Sequence, residues 1–171
     1  IDRYPSFAAL LDYCQLSAAP VGELVLHIFG AATPERIRLS DQICAGLQVT
    51  EHLQDVAEDR GRGRVYLPAE DLARFGCSDA DLLARSPSRA FSELMAFEVT
   101  RARSLLSGGA PLIRRLEPRG ALAGAGFVAG GRAALDAVEG AGYNVLGARP
   151  RPDRRMFAAA LVRTLGGRSC R

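Results

Sequence analysis

Lysine is absent from this 171-residue sequence, and cysteine and histidine are scarce. All 22 basic residues are arginine, and a formal net charge of +3 is too small to indicate a nucleic-acid-binding protein. The four cysteines are far apart and form no CxxC pair, and there are only two histidines, which argues against a zinc site. Free thiols fit a reducing, cytoplasmic setting best.

Long apolar runs are also missing. No stretch of about 18 uninterrupted apolar residues occurs, so no membrane span is predicted. The segment 16–29 comes nearest, but it is interrupted by Pro20, Gly22, Glu23 and His27. The sequence leaves peripheral contact with a membrane open. Residues 1–4 resemble neither a methionine start nor a basic signal-peptide region, so we expect that the sequence was cut from a longer chain.

No alternating pattern typical of β-strands occurs, and there is no internal repeat or coiled-coil heptad. The apolar fraction of 48% and the charged fraction of 24% are ordinary for a globular protein with a sizeable core. We therefore predict an all-α protein, in which residues 1–171 form one domain or part of one.

Helix signals divide the first half of the chain. Apolar residues at helical spacing predict one long helix over 4–31, bent or broken at Pro20-Val21-Gly22. The break serves a ligand or is simply a kink in a core helix. Thr33-Pro34-Glu35 is a strong helix start, and that helix should run to about Asp59.

The second half is predicted to be helical as well. The expected helices cover about 67–76, a turn capped at 78–81, 88–107, 110–116 and 151–165, and the tail 166–171 should fray. Residues 119–139 are rich in glycine and alanine. Because no strand precedes them, they do not form a dinucleotide-binding loop, and we expect close helix packing instead.

The stretch 47–68 carries the most chemistry. Residues that are four positions apart on a helix lie on one face. A polar stripe is therefore expected along Gln48, Glu51 or His52, Asp55 and Asp59. Neighbouring carboxylates repel each other unless a cation neutralises them. The arginines of the following loop, 60–64, match phosphate oxygens. This pattern favours a magnesium-bridged diphosphate site, and the alternative is a solvated helix end followed by a loop.

Three motifs occur in a meaningful order: Tyr-Cys-x-x-x-Ala-x-x-Val-Gly at 13–22, Asp-Val-Ala-Glu-Asp at 55–59 and Gly-Arg-Val-Tyr-Leu-Pro at 63–68. Together they closely resemble the squalene/phytoene synthase family of head-to-head prenyl synthases. The resemblance covers essentially the whole chain and implies the C-terminal part of an all-α terpenoid (isoprenoid) synthase helical bundle.

Two positions resemble the hydroxysqualene synthase branch of the hopanoid pathway. Many squalene and phytoene synthases have arginine where this chain has Gln54, and asparagine where it has Glu51. An added carboxylate and a lost guanidinium should alter the binding of metal and diphosphate.

The resemblance also implies roles for individual residues. Tyr13 is expected beside the leaving group or the carbocation and is assigned as catalytic together with Asp55 and Asp59. Asp55 and Asp59 are expected to bind magnesium, with Glu51 as a further metal ligand. The substrate-binding set comprises the hydrocarbon-channel residues Ser17, Val21 and Gly22, and the diphosphate-side residues Gln48, Arg62, Arg64 and Tyr66.

The family has a first aspartate-rich motif on an earlier helix, and no such motif precedes Tyr13. Asp2 and Asp12 have the wrong spacing. We therefore expect that the N-terminal part is missing, and that this fragment alone is inactive.

The resemblance implies magnesium-assisted ionisation of presqualene diphosphate and capture of the cation by water, giving hydroxysqualene. The alternatives are a squalene or phytoene synthase that condenses two prenyl diphosphates such as farnesyl diphosphate, and a non-catalytic helical assembly subunit. Expected partners are the prenyl diphosphate and other hopanoid-pathway enzymes, at a cytoplasmic location or on the inner face of the membrane.

Overall fold

A computed structural model describes residues 2–166. Within them the chain forms nine α-helices and one 3-10 turn, with no strand beyond a single isolated bridge, which confirms the all-α prediction. The helices are α1 (Phe7–Ser17), α2 (Ala19–Ile28), α3 (Pro34–Gln54), α4 (Val56–Gly61), α5 (Ala69–Phe75), α6 (Asp79–Leu83), α7 (Arg89–Gly109), α8 (Pro118–Gly140) and α9 (Arg154–Leu165), and the 3-10 turn is Ala110–Arg115. The tail predicted to fray falls, beyond Gly166, outside the described residues, as does Cys170.

The expected long N-terminal helix is two helices. The break lies at Ala18 (φ −110°, ψ −39°), earlier in the chain than the predicted break at 20–22. Pro20 has no N–H to donate, and its ring would clash with the carbonyl of Leu16, so the helix has to break before the proline. After the break, α2 packs against α3.

The expected helix from 34 to 59 is also divided. Thr33 caps α3 by accepting a hydrogen bond from the Arg36 amide, as predicted, but α3 ends at Gln54. Asp55 (φ −104°, ψ 15°) leaves the helical conformation and separates α3 from α4. The Asp59 amide still donates to the Asp55 carbonyl at 2.8 Å, so the two aspartates stay one turn apart. The predicted stripe is therefore bent at Asp55.

The core is built around the antiparallel pair α3 and α7, and α8 packs against both helices. Its largest fully buried side chains come mainly from α7 and α8 and include Phe91, Leu94, Met95, Leu106 and Leu135. The closest approach of α3 and α7 is at Gly109, where an added Cβ would lie 2.6 Å from the Leu39 carbonyl oxygen and 2.9 Å from the Ile43 amide nitrogen.

Small residues pack α8 closely, as expected. Ala129 and Ala133 of α8 are fully buried against Ala160 of α9. In the part of the chain that the structure describes, α8 is also the one helix long and apolar enough to cross a bilayer. Half of its most apolar window is buried inside the fold, as in the core helix of a globular domain.

Replacing Gly109 by alanine should destabilise the protein by about 1–3 kcal/mol, because the new methyl group meets backbone atoms of α3 that cannot rotate away. Gly126→Ala is the matched control, since nothing lies within 4 Å of a Cβ there and alanine is the better helix former. Urea unfolding should show a lower midpoint for the first variant and an equal or higher midpoint for the second. Equal stability of the two variants would contradict the close contact.

Candidate active site

An aromatic cluster holds the N-terminal segment, α1 and the loop after α4 together. The rings of Tyr4, Tyr13 and Tyr66 lie within 5.8 Å of one another, measured between centroids. The Val65 amide donates to the Asp2 carbonyl at 2.9 Å, which aligns the N-terminal segment with this loop. The loop 62–68, called the flap below, is thereby fixed against the end of α3.

His52 is the centre of that attachment. Its ring stacks on Tyr66 with a centroid distance of 3.6 Å and an angle of 7°. Burial lowers the pKa of His52 to about 4, so the ring is neutral at pH 7. The Gln48 amide nitrogen lies 3.2 Å from Nε2 of the ring, and Nδ1 faces Asp59 at 3.8 Å.

The structure thus resolves an alternative that the sequence left open. His52 is buried behind the polar stripe, whereas Glu51 is exposed. Gln48 contacts both the histidine and the large cavity described below. The stripe that faces outward therefore consists of Gln48, Glu51 and Asp55, with His52 as its support.

Asp55 and Asp59 are both partly buried. Burial is the main cause that raises the pKa of Asp55, and burial followed by the charge of Asp55 raises the pKa of Asp59. Arg149 opposes this effect at Asp55, where its Nε lies 2.9 Å from Oδ1. That contact is close enough for an ion pair but lacks hydrogen-bond geometry, and Oδ1 is buried without a hydrogen-bond donor. An acceptor oxygen is therefore left available.

This oxygen fits a divalent cation, because magnesium prefers carboxylate ligands. Within residues 2–166, no three Asp, Glu, His or Cys side chains lie close enough together to hold a metal ion alone. An ion bound here would complete its shell with water and diphosphate oxygens, as magnesium commonly does. The assignment of Asp55, Asp59 and Glu51 as metal ligands stays a prediction.

The flap arginines are at the surface. Arg62 pairs with Glu58 at 2.7 Å, and both side chains are more than half exposed. Arg64 is exposed as well, and its charge acts on Asp59. Both guanidinium groups are accessible beside the carboxylates, which is the arrangement that anion binding requires.

A cavity of about 270 Å³ lies between α2, α3 and α8. Three predicted channel residues, Ser17, Val21 and Gly22, line it, and Gln48 and Glu51 form part of its polar edge. Most of the remaining lining is apolar and comes from distant parts of the chain, including Val25, Phe29, Leu112, Leu116 and Phe127. These residues were not among the predicted channel residues, because nothing in their local pattern distinguishes a cavity wall from a core.

Tyr13 does not line this cavity. It packs in the aromatic cluster beside Tyr4, Tyr66 and His52. Tyr66 lines a small space together with His52, Asp59 and Arg64. Tyr66 thus lies near Asp59, and neither tyrosine lines the apolar cavity.

A buried acid lies beneath the cluster. Glu98 lines a small space with Leu10, His52 and Tyr66, and Arg101 bridges it to buried Asp71, with contacts of 3.2 and 2.6 Å. Burial raises the pKa of Glu98 from its ordinary 4.5 to about 8, against the charge of Arg101. Glu98 is therefore protonated at neutral pH.

The raised pKa of Glu98 predicts a pH dependence of stability. The contribution of protonated Glu98 to the free energy of unfolding is complete below about pH 4.5 and is lost as the pH rises towards about 8. The reason is that, as the pH rises, the carboxyl group loses its proton in the unfolded chain before it does so in the folded protein. Glu98→Gln should remove this slope, which is at most about 1.4 kcal/mol per pH unit for one proton. Urea unfolding at several pH values measures it. Exposed Glu93 on the same helix gives the control, Glu93→Gln, and identical slopes in all three proteins would contradict the assignment.

The fold and the site together define a class, the all-α terpenoid-synthase fold, here with Glu51 at the edge of the apolar cavity and Asp55 and Asp59 further along the chain from it. The chain belongs to the squalene/phytoene synthase family, whose model matches residues 1–156. It is 38% identical over 118 residues to a hydroxysqualene synthase of Sinorhizobium fredii, a match that covers 67% of this chain and 39% of that protein. It is 33% identical over 172 residues to a 15-cis-phytoene synthase of Synechocystis, covering 91% of this chain and 50% of that one.

Among solved structures, the squalene synthase HpnC of Alicyclobacillus acidocaldarius is 42% identical and superposes with a TM-score of 0.81. The match covers 84% of this chain and 55% of that one. The chain thus spans about half the length of the relatives that it matches or less.

Proposed function

We propose that this chain forms one wall of a magnesium-dependent site that ionises presqualene diphosphate and gives hydroxysqualene. The observation that supports it most is the combination of a buried Asp55 oxygen that accepts no hydrogen bond with a polar edge, Gln48 and Glu51, on an apolar cavity of about 270 Å³. A diphosphate ester has the same division into a charged head and an apolar chain.

Each part of the wall has a role in this reaction. Asp55 and Asp59 would hold magnesium, which when bound neutralises the charge on the departing diphosphate. Arg62 and Arg64 can donate to diphosphate oxygens from the flap. The apolar lining at Val21 would contact the hydrocarbon chain. Presqualene diphosphate and one water then give hydroxysqualene and free diphosphate.

The polar edge offers a place for that water. Gln48 contacts both the cavity and His52, and the neutral ring keeps its amide oriented. Exposed Glu51 borders the same opening and can accept the proton that the attacking water releases. Placing water capture at this edge explains why one end of the chamber is polar.

The alternative is condensation of two farnesyl or longer prenyl diphosphates to squalene or phytoene. The phytoene synthase relative, which matches 91% of this chain, favours it. Product analysis of the full protein separates the two: presqualene diphosphate should give hydroxysqualene without a nicotinamide cofactor. Conversion of farnesyl diphosphate to squalene would contradict the hydroxysqualene proposal.

Asp55→Asn and Asp59→Asn should each lower magnesium-dependent turnover of the full protein by at least about a hundredfold, because each removes a charged metal ligand. Asp12→Asn, a change of the same kind on an exposed residue of α1, should leave turnover unchanged. Steady-state product formation measures the effect. Normal turnover in both site variants would show that Asp55 and Asp59 are not the site.

Ala123→Leu should weaken binding of a long-chain prenyl diphosphate by about tenfold, because the larger side chain occupies space that about two hydrocarbon carbons would fill. Binding of inorganic diphosphate should not change. Isothermal titration with both ligands provides the measurement, and Ala159→Leu on the exposed face of α9 is the control. An equal loss of affinity for the prenyl diphosphate and for inorganic diphosphate would show that the cavity does not hold the hydrocarbon chain.

A further inference from the structure

The segment between α8 and α9 contacts the end of α3, where a buried side chain of α3 binds its backbone. Gln54, at the end of α3, is buried, and its Nε2 donates to the Pro150 carbonyl at 2.6 Å. The two residues are 96 positions apart in the chain. A buried amide that reaches so far along the sequence fixes the segment at this point.

The same segment also places a positively charged side chain, Arg149, beside Asp55, the candidate metal ligand. Arg149 precedes Pro150, and a residue before proline is restricted to extended conformations. Its Nε lies 2.9 Å from Oδ1 of Asp55, the residue next to Gln54. Oδ1 is the buried oxygen that has no hydrogen-bond donor. The arginine thus meets this oxygen as a charge rather than as a hydrogen-bond donor.

We propose that Arg149 is a built-in counter-ion of Asp55, that Gln54 is the positioning residue that holds it there through Pro150, and that a divalent cation must displace it. This inference rests on the proposed function, because it assumes that Asp55 is a metal ligand. It assigns to Gln54 and Arg149 the control of the affinity of the site for a cation.

The competition follows from charge and space. A guanidinium and a divalent cation compete for one carboxylate oxygen, because two positive charges at that distance from each other repel. The Arg149 side chain is 38% exposed, so it can swing outward when the cation arrives. Gln54 keeps the backbone of the segment in place, so the arginine returns when the site empties. In the absence of the cation, Arg149 thereby balances the charge of the partly buried Asp55 carboxylate, which would otherwise be costly.

Manganese binding to the purified protein, followed by electron paramagnetic resonance, tests the proposal. Arg149→Gln should raise the manganese affinity by about tenfold, because the competing charge is gone. Gln54→Leu keeps the size of the side chain but removes the donor, and it should raise the affinity by a smaller factor. Arg151→Gln, an exposed arginine of the same segment, should leave the affinity unchanged.

The double variant identifies how Gln54 acts. If Gln54 works through Arg149, the variant that carries both changes should bind manganese no more tightly than Arg149→Gln alone. Additive gains would contradict the positioning role. Thermal unfolding of each variant verifies that it is folded before the titration is compared.

Asp55→Asn separates the failure of this inference from the failure of the proposed function. If Asp55→Asn abolishes manganese binding but Arg149→Gln leaves it unchanged, the counter-ion proposal is overturned and the metal site stands. If manganese binding is absent in the wild type with inorganic diphosphate present, or does not depend on Asp55, both are overturned.

Discussion

The close antiparallel contact between α3 and α7 determines where every part of the site lies. At Gly109 an added Cβ would lie 2.6 Å from the Leu39 carbonyl oxygen, so the two backbones are closer there than a side chain would allow. On α3, the Gln48 side faces the cavity, His52 faces the flap and Gln54 faces the segment after α8. One helix therefore supports the chamber, the flap and the counter-ion of the carboxylate at once.

The end of α3 shows how a neutral group can organise charged ones. His52 is buried and uncharged, so it can stack on Tyr66 and accept from Gln48 without adding a positive charge beside Asp59. A charged ring in that place would add a positive charge beside Asp59, and under our proposal it would compete with a metal ion as Arg149 does.

Much of this architecture could be predicted, because helix caps and apolar periodicity are local signals. Thr33 begins α3 as expected, and the all-α class and the family follow from motifs that are contiguous in the chain. The break at Asp55 could not be foreseen, since no glycine or proline marks it. The partnership of Gln54 with Pro150 and Arg149 was missed for a different reason: it joins positions 96 residues apart, and only tertiary packing reveals it.

Under the proposed function, a divalent cation and a diphosphate bind at Asp55 and Asp59, and the hydrocarbon chain occupies the apolar cavity. A crystal structure of the full protein with magnesium and an unreactive thio-analogue of a prenyl diphosphate tests it most directly. The account predicts an ion about 2.1 Å from a carboxylate oxygen of Asp55 or Asp59, with Arg149 displaced from Asp55 and the hydrocarbon chain against Val21. Diphosphate bound away from both aspartates, or a hydrocarbon chain outside the chamber, would contradict it.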